Sequence, residues 1–460
     1  MVEMKLSELE TKMKGQILQG SPALSFRKFN TDSRRSEPGE LFFALIAGRN
    51  GHDFVPEAAE KGAAGAVISE RIPSPRNDFA LVLVDDTLEA LQNLAARVVA
   101  EQKVRIVGIT GSIGKTTTKE FASSLLAPYF KLHKSEGNYN NHIGLPLSVL
   151  KLRKEHELAI LEMGMNHAGE IRQLTRIAPP QVVLITNIQP VHLEFFKGME
   201  GIALAKKEIL EGADPGGTAV LNGDDPWVER ISKDWKGYKV LFGLSNECSV
   251  SARNIRIKGL EGMSFELVYG DERQHVSLPF FYETALYNYL AAVALGYAFS
   301  IPLEGIRRQT QDLELYRMRG TIIPLDGGIT LIDDSYNSNP AGLESILKSI
   351  AGLPFKRKIA VLGDMLELGE EGAMYHRKAG EHVFNYGYDR LVTVGALSRE
   401  MADAAIDSGM PESHVHSISG TEDAAEVIKP LMEKGDLILV KGSRGLKMEK
   451  IVSDLKKRRI

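Results

Sequence analysis

The feature that most constrains this chain is an apolar, β-branched run that breaks into a glycine loop and continues with the helical pattern KTTTKEFASSLL, beginning near residue 104. Such a run predicts a buried parallel strand, and a parallel sheet needs helices on its faces. Gly111 and Gly114 let backbone N–H groups approach phosphate oxygens, and the free amides at a helix start attract the same charge. Lys115 can reach the β- and γ-phosphates, and the Thr116 hydroxyl can ligate Mg²⁺. The stretch predicts a triphosphate-binding loop.

This loop departs from the strict phosphate-binding pattern at one position. The pattern requires a glycine five residues before Gly114, where this chain has Ile109. An ordinary strand–turn–helix is therefore the alternative interpretation. The Gly-Lys-Thr run at the junction favours the phosphate-binding one.

Length and composition narrow the class of protein. A chain of 460 residues predicts two to four domains, and 43% apolar with 25% charged residues is typical of globular proteins. The net charge of −4 gives no indication of nucleic-acid binding, and no apolar run reaches the ~18–20 residues of a membrane-spanning helix. Residues 1–5 lack the apolar core of a secretion signal, and the single Cys248 excludes an internal disulfide. We therefore expect a cytoplasmic monomer that neither binds nucleic acid nor spans a membrane.

Three regions differ in pattern, and they predict an α/β fold class. Residues 1–102 are typical of a small mixed α/β domain. Residues 103–313 predict a central P-loop domain with a mainly parallel sheet, and residues 314–460 predict a doubly wound, Rossmann-like domain. Short alternating runs within 239–281 predict antiparallel hairpins appended to the central sheet. The strands expected in the last two regions are 104–109, 158–163, 182–187, 218–222, 330–333, 358–362, 390–394, 415–418 and 437–440.

Three side chains of the central region are candidates for metal chemistry. Glu162 ends a predicted strand beside the strand of the glycine loop, where Mg²⁺ is usually bound. His192 follows the next strand, and both a structural and a ligand role remain open for it. Lys206 lies fourteen positions further on, in an apolar segment of helical period. A solvated helix lysine is the simpler interpretation of that residue.

Further polar groups fall near predicted strand ends. Asn140 and Asn141 belong to an amide-rich loop that can bind phosphate or sugar, or simply form turns. Asp333 and Asp334 end a strand of the last region, where an acid can accept hydrogen bonds from ribose hydroxyls. Arg319 lies at the apparent hinge, from which a guanidinium can reach a γ-phosphate as domains close. The alternative, that Arg319 is simply a surface arginine, is equally compatible with the sequence.

These motifs, in this order, resemble the Mur ligases, the ATP-dependent amide ligases of cell-wall precursor synthesis, over essentially the whole chain. The runs DSYNSNP and GDMLELG are specific to the branch of that family that adds D-alanyl-D-alanine. The matching runs are TDSR at 31–34, PGELFFAL at 38–45, GHDF at 51–54, TGS at 110–112, GKTT at 114–117, NYNN at 138–141, EMGMNH at 162–167, NGDDP at 222–226, DDSYNSNP at 333–340, VLGDMLELG at 361–369 and KGSR at 441–444.

The resemblance implies a reaction and its cofactors. ATP would phosphorylate the terminal carboxylate of UDP-N-acetylmuramoyl-tripeptide, and the amine of D-alanyl-D-alanine would attack the resulting acyl phosphate. Two Mg²⁺ ions are implied, the second held by Glu162, His192 and Lys206 once CO₂ has carbamylated this lysine. Carbamylation would turn a cation that repels Mg²⁺ into an anionic oxygen ligand.

The resemblance also assigns site residues. The catalytic ones are Lys115, Lys206, His192, Glu162 and Arg319, and the metal ligands are Thr116, Glu162, His192 and carbamylated Lys206. Those that bind ATP are Thr110, Gly111, Ser112, Gly114, Lys115, Thr116, Thr117, Asn288, Arg319 and Asp334. Those that bind the substrates are Ser33, Arg34, His52, Asn140, Asn141, Asn337, Lys441 and Arg444, with the first three on the UDP side. The chain departs from the family pattern at Ile113, at 282–285 on the adenine side, and at Thr321.

Two other functions remain as alternatives. One is a ligase of the same ATP chemistry with another acceptor, as in folylpolyglutamate or cyanophycin synthesis; the UDP-type N-terminal region argues against it. The other is a non-catalytic nucleotide-binding paralogue, which the adenine-side departures leave open. Phosphate release that requires both UDP-tripeptide and D-alanyl-D-alanine discriminates among the three.

Overall fold

The structure is a computed structural model that describes residues 3–315 and 317–457. Met1 and Val2 of the chain start considered above lie outside these residues. Within them the chain forms three large sheets and a two-stranded ribbon, with helices between the strands. The predicted α/β class is confirmed. None of the helices in this part of the chain is long and apolar enough to cross a membrane.

The N-terminal region forms a sheet in the order β2-β7-β6-β5-β4, with β2 antiparallel and the other neighbours parallel. Its elements are β1 (Met4–Lys5), α1 (Leu6–Met13), β2 (Gln16–Gln19), β3 (Ser25–Phe26), β4 (Phe29–Asn30), β5 (Leu41–Phe43), α2 (Val55–Glu60), β6 (Gly65–Ile68), β7 (Ala80–Leu83) and α3 (Thr87–Glu101). The inner side chains Phe43, Val67 and Val82 are fully buried. These side chains form part of the hydrophobic core that packs against one face of the sheet.

The central region forms a sheet in the order β16-β15-β14-β13-β12-β11-β8-β10-β9. Its elements are β8 (Arg105–Thr110), α4 (Lys115–Leu126), β9 (Leu132–Lys134), α5 (Gly144–Val149), β10 (Leu158–Glu162), α6 (Glu170–Ile177), β11 (Val182–Ile185), α7 (Gly198–Glu211), β12 (Thr218–Asn222), α8 (Pro226–Ser232), β13 (Tyr238–Gly243), β14 (Val250–Ile257), β15 (Met263–Tyr269), β16 (Glu272–Leu278), α9 (Glu283–Ala298) and α10 (Leu303–Thr310). The strands predicted around the glycine loop are found, and α4 begins at Lys115 as expected.

The prediction of antiparallel hairpins from residue 239 onward was wrong for β13. This strand pairs in parallel with β12, and the antiparallel pairing begins only between β14 and β15. Val240 and Phe242 are fully buried, because α9 covers this part of the sheet. A strand so covered belongs to the parallel core.

The C-terminal region forms a sheet in the order β17-β18-β22-β19-β20-β21, parallel except for its edge strand β17. The elements are β17 (Thr321–Leu325), β18 (Ile329–Asp334), α11 (Pro340–Ala351), β19 (Lys358–Gly363), α12 (Gly372–Asn385), β20 (Arg390–Val394), α13 (Arg399–Asp407), β21 (Val415–Ile418), α14 (Ala424–Ile428), β22 (Leu437–Lys441) and α15 (Glu449–Lys456). The five expected strands are present. The edge strand was missed because it is half-buried and contains Pro324, which weakens a strand pattern.

Candidate active site

A cavity of about 340 Å³ lies between the central and C-terminal regions. Its walls come from the loops after β8, β9, β10 and β11 and from the start of α9 on one side. On the other side they come from the end of β18, the loop after it and the end of β22. Carboxyl ends of parallel strands are where α/β folds bind ligands. The predicted site residues that line it are Ser112, Gly114, Lys115, Thr116, Thr117, Asn140, Asn141, Glu162, His192, Asn288, Arg319, Asp334, Asn337 and Lys441.

The glycine loop approaches its neighbours so closely that side chains would not fit. Gly114 has φ +86°, and a Cβ there would lie 2.0 Å from Asn288 Oδ1. At Gly111 a Cβ would lie 1.8 Å from Thr186 Oγ1. The amides of Ser112 and Ile113 already donate to Asn187, each at 2.9 Å. The amides facing the cavity without a side-chain cap are therefore those at the start of α4.

Lys115 folds back onto its own loop. Its Nζ donates to the carbonyl oxygens of Gly111 at 2.7 Å and Ser112 at 3.2 Å. Burial lowers the pKa of Lys115; Arg319 lowers it further, while Glu162 opposes the shift. The Lys115 amino group thus lies at the cavity wall, and within the described residues it donates only to backbone carbonyl groups.

Glu162 and Thr116 present oxygen atoms side by side. The Thr116 hydroxyl donates to Glu162 Oε2 at 2.9 Å, and Asn140 Nδ2 donates to Oε1 at 2.9 Å. Lys119, which sequence reasoning missed, is fully buried with its Nζ 3.9 Å from the same carboxylate and 2.6 Å from the Ser135 carbonyl. These bonds fix the carboxylate of Glu162 with its oxygens toward the helix start. Hydroxyl and carboxylate oxygens are the ligands that Mg²⁺ prefers.

His192 is bonded to a residue of the C-terminal region. Its Nδ1 donates to Glu367 Oε2 at 2.6 Å, and this bond lowers the pKa of Glu367. Both residues have left-handed backbones, with φ of 56° and 65°. Only Nε2 of His192 remains for another partner. Glu367 lies in the GDMLELG run, but nothing in the sequence paired it with a histidine 175 positions away.

The loop that carries Glu367 is held by a buried histidine. His376 Nε2 accepts from the Met365 amide at 2.9 Å, and Nδ1 donates to the Gly372 carbonyl at 2.7 Å. Burial lowers the pKa of His376, which favours the neutral ring that these two bonds require. His376 thereby sets the position from which Glu367 reaches across.

Lys206 lies on α7 and is 2% exposed. Among residues 3–315 and 317–457, its Nζ has neither an acidic partner within 4 Å nor a hydrogen bond. Burial, with the nearby charge of Lys115, holds the pKa of Lys206 well below its usual value. Lys206 does not line the cavity.

Among the described residues, no three His, Cys, Asp or Glu side chains cluster closely enough to hold a metal ion by themselves. A metal ion at this site would therefore need other ligands in addition to these side chains.

Asp334 and Lys441, assigned by resemblance to different ligands, bind each other. They are register partners on β18 and β22, with Nζ 2.5 Å from Oδ2, and Lys441 also donates to the Asn337 carbonyl at 3.0 Å. Arg444 follows Lys441 by three positions, and its backbone amide donates to Asn337 Oδ1 at 3.4 Å. Arg319 Nε is buried and has no hydrogen-bond partner in the described chain. Of the two cations that line this wall, the guanidinium group of Arg319 is the one left free for an anion.

The remaining predicted residues do not line this cavity. They are Thr110, Gly111, Lys206, Ser33, Arg34, His52 and Arg444. Ser33 donates to Glu57, and exposed Arg34 pairs with Asp32. Both ring nitrogens of His52 are engaged inside the N-terminal region, with Asn50 Oδ1 at 2.6 Å and the Ser69 amide at 2.9 Å. A direct bond from His52 to a substrate would therefore require one of these two to break.

A second cavity, of about 550 Å³, shares Ile113, Thr284 and Asn288 with the first. Trp227 and Tyr287 line it, and the Tyr287 hydroxyl donates to Asp224 at 2.8 Å. Sequence reasoning missed both aromatic residues. The NGDDP run just before Trp227 was the available signal, because it follows a strand of the same sheet.

Two family models match most of the chain: the Mur ligase middle domain over residues 109–296, and the Mur ligase glutamate ligase domain over residues 318–444. The chain belongs to the Mur ligase family. The UDP-N-acetylmuramoyl-tripeptide–D-alanyl-D-alanine ligase of Bacillus subtilis (strain 168) is 37% identical over 435 residues, which cover 92% of each chain. Among solved Mur ligases, MurF from Acinetobacter baumannii has a TM-score of 0.89 at 29% identity over 99% of both chains. MurF from Thermotoga maritima in complex with ADP has a TM-score of 0.81 at 26% identity, over 94% of this chain and 97% of that one. The family resemblance found in the sequence is confirmed.

Proposed function

We propose that this Mur ligase joins D-alanyl-D-alanine to UDP-N-acetylmuramoyl-tripeptide at the expense of ATP, in cytoplasmic peptidoglycan precursor synthesis. The observation that carries the proposal is the cavity in which Lys115 and the Thr116–Glu162 pair meet Arg319 and Asn337 of the opposite wall. Relatives named for this reaction, and one solved in complex with ADP, support it.

The chemistry brings two anions together. The carboxylate oxygen of the tripeptide bonds to the γ-phosphorus of ATP, the bond to the β–γ bridging oxygen breaks, and ADP leaves. The amine of D-alanyl-D-alanine then attacks the acyl carbon, and phosphate leaves from the tetrahedral intermediate. Such a sequence depends on charge neutralisation and in-line positioning.

Residues of this chain supply that neutralisation. Lys115 would release the carbonyl oxygens of its own loop and turn to the β- and γ-phosphates. The amides at the start of α4 would face the same oxygens. Arg319 reaches from the opposite wall with a guanidinium that no acidic side chain of the described chain neutralises.

One Mg²⁺ fits the pair of Thr116 and Glu162. Their oxygens lie 2.9 Å apart, and Mg²⁺ commonly takes only one or two protein ligands beside phosphate and water. When bound, the ion supplies positive charge next to the phosphates. Asn140 and Lys119 keep the carboxylate oriented toward it.

A second Mg²⁺ would use Glu162, His192 and a carbamylated Lys206. What supports the carbamate is the environment of Lys206, which is buried and without an acidic partner in the described chain. Burial lowers the pKa of Lys206, and this favours the neutral, nucleophilic amine. A neutral amine adds to CO₂ with loss of one proton, giving an anionic oxygen on a longer side chain. That product would place an anion near Lys115, whose charge disfavours the protonated form of Lys206.

The adenine base would enter the second cavity, beyond Asn288 and Thr284. Trp227 and Tyr287 offer aromatic faces on which a base can stack. These contacts would replace those of the family's adenine-side motif, from which residues 282–285 depart. The UDP group would bind near Ser33 and Arg34 of the N-terminal region.

The proposed domain boundaries lie between residues 102 and 103 and between residues 313 and 314.

Coupled product release tests the proposal. Purified protein with ATP and Mg²⁺ should release ADP and phosphate only when both UDP-N-acetylmuramoyl-tripeptide and D-alanyl-D-alanine are present, with the ligated product seen by mass spectrometry. Release with either substrate alone, or with glutamate in place of the dipeptide, would instead support a related ligase. Nucleotide binding without any release would support a non-catalytic paralogue.

A further inference from the structure

The tip of the glycine loop is bonded to the loop after β11. The Thr186 hydroxyl donates to the Ile113 carbonyl at 2.6 Å, and Asn187 Nδ2 donates to the same oxygen at 3.1 Å. Asn187 Oδ1 accepts from the Ile113 amide at 2.9 Å. Two consecutive side chains thus bond both polar backbone atoms of Ile113.

The preceding residue, Ser112, is fixed by the same segment. Its amide donates to the Asn187 carbonyl at 2.9 Å. Its hydroxyl donates to the Gln189 carbonyl at 3.0 Å and lies 2.8 Å from the Gln189 amide, from which it accepts. The backbone of the glycine loop at 112–113 therefore follows the shape of residues 186–189.

Thr186 fits this position because Gly111 has no side chain. A Cβ at Gly111 would lie 1.8 Å from Thr186 Oγ1, and Thr186 is only 3% exposed. The segment is itself anchored by the NGDDP run: Asn222 Nδ2 donates to the Thr186 carbonyl at 2.9 Å, and Asp225 accepts from the Ile188 amide at 2.7 Å. An anchored segment can impose its shape on the glycine loop.

The cavity side of the glycine loop has a different support. Lys115 Nζ donates there to the carbonyl oxygens of Gly111 and Ser112. Under the proposed function Lys115 leaves these oxygens for the phosphates of ATP. Thr186 lines neither this cavity nor the second one, so its bond to Ile113 can persist when nucleotide binds.

We infer that Thr186 is a positioning residue for ATP, which with Asn187 holds the glycine loop in its phosphate-binding shape after Lys115 has turned to the phosphates. The inference rests on the ATP site of the proposed function. A loop that samples other shapes binds phosphate more weakly, in proportion to the fraction of time it spends in the competent one. The hydroxyl of Thr186 keeps that fraction high, so the amides at the start of α4 need no rearrangement.

Two variants separate the hydroxyl of Thr186 from its bulk. Thr186→Val replaces the hydroxyl by a methyl group, and Thr186→Ser keeps the hydroxyl. The matched control is Thr175→Val, because Thr175 is 2% exposed and its hydroxyl donates to the Arg172 carbonyl at 3.0 Å within α6. Each full-length variant is titrated with ADP in the presence of Mg²⁺ by calorimetry, and with adenosine by ligand-observed NMR.

For Thr186→Val we expect the Kd for ADP to rise about fivefold, the effect that loss of one such hydrogen bond has on an equilibrium. The Kd for adenosine should stay within about twofold, because adenosine has no phosphate for the glycine loop to hold. Thr186→Ser and Thr175→Val should bind both ligands as the wild type does. A purely structural role of Thr186 would weaken both ligands together.

Three results would overturn the inference. They are an unchanged Kd for ADP in Thr186→Val, an equal loss of affinity for ADP and adenosine, or a loss in Thr186→Ser as large as that in Thr186→Val. If thermal unfolding shows that Thr186→Val does not fold, Thr186→Ala carries the same expectations.

Failure of the proposed function is distinguishable from these results. A wild type that binds ADP but does not couple its release to the two substrates overturns the proposed reaction and leaves the role of Thr186 standing. A folded wild type that does not bind ADP overturns both.

Discussion

His192 Nδ1 lies 2.6 Å from Glu367 Oε2, and this bond joins the loop after β11 in the central region to the loop after β19 in the C-terminal region. The two residues belong to regions built on different sheets, and each adopts a left-handed backbone to meet the other. The bond therefore orients His192 only while the two regions are together. Carboxylates that hold a histidine in this way commonly fix the direction of its other nitrogen.

Glu367→Gln should lower kcat/KM roughly fivefold, since a hydrogen bond of this kind contributes about 1 kcal/mol. Steady-state kinetics at saturating Mg²⁺ checks this. Glu370→Gln, an exposed acid on the same loop, is the matched control and should behave as the wild type. Equal activity of the two variants would mean that the bond has no part in assembling the site.

Lys206→Ala should reduce turnover by about 10- to 100-fold, the range over which metal sites respond to loss of a supporting group. Short-chain carboxylates should restore part of the activity, because they can place an oxygen where the carbamate would be. Lys207→Ala, next along α7 and only partly buried, is the control. A carbonyl signal from ¹³C-bicarbonate, absent in Lys206→Ala, would identify the modification directly, and full activity of that variant without additives would rule it out.

Lys115→Ala should reduce turnover by at least about 10³-fold, as loss of a cation on the transferring phosphoryl group does in related chemistry. Its affinity for UDP-N-acetylmuramoyl-tripeptide, measured by calorimetry without ATP, should stay within about twofold, because the UDP side is proposed to lie near Ser33 and Arg34. Exposed Lys131→Ala serves as control. A parallel loss of UDP-tripeptide affinity would show that Lys115 acts on the substrate and not on ATP.

The stability of the protein should fall in mild acid because of His133. Burial, with a smaller effect of His156, lowers the pKa of His133 from 6.5 to about 4, and its Nε2 lies 3.1 Å from Ser148 Oγ. Between these two pH values His133 is protonated in the unfolded chain but not in the folded chain. The free energy of unfolding is thus highest above pH 6.5 and declines toward pH 4, by about 3 kcal/mol for this residue.

Denaturant unfolding at pH 7, 5.5 and 4.5 measures this decline. His133→Gln should flatten it by about one proton, whereas His275→Gln, at an exposed position of β16, should leave the slope unchanged. An unaltered slope in His133→Gln would assign the acid sensitivity to other groups, such as His376.

Local sequence patterns predicted most of the helices and strands. They did not predict which residues pair across long distances in the chain. The glycine loop could be recognised because strand, Gly111, Gly114 and Lys115 lie within a few positions of one another. In contrast, Asp334 and Lys441 become partners only because β22 inserts beside β18, an order that strand periodicity does not encode. The parallel pairing of β13 depended on its cover by α9, which lies some forty positions later in the chain.

The same limit applies to the site. Glu162 was identified because it ends a strand beside the loop strand, but Lys119 behind it looked like any helix lysine until its burial was known. Glu367 and Tyr336 were each inside recognised runs. His192, the partner of Glu367, comes from a different region of the chain. Arg319 and Arg444 reach the Tyr336 ring from other positions of the C-terminal region. No single stretch of sequence contains either pairing.

The position of β22 has a consequence for biosynthesis. Residues 437–441 occupy the gap between β18 and β19, so a nascent chain still short of them exposes two unpaired strand edges as it leaves the ribosome. The glycine loop can form much earlier in translation, but the wall that carries Asp334 and Lys441 cannot. Ligase activity should therefore appear only near the end of synthesis, and truncations before residue 437 should be prone to aggregation.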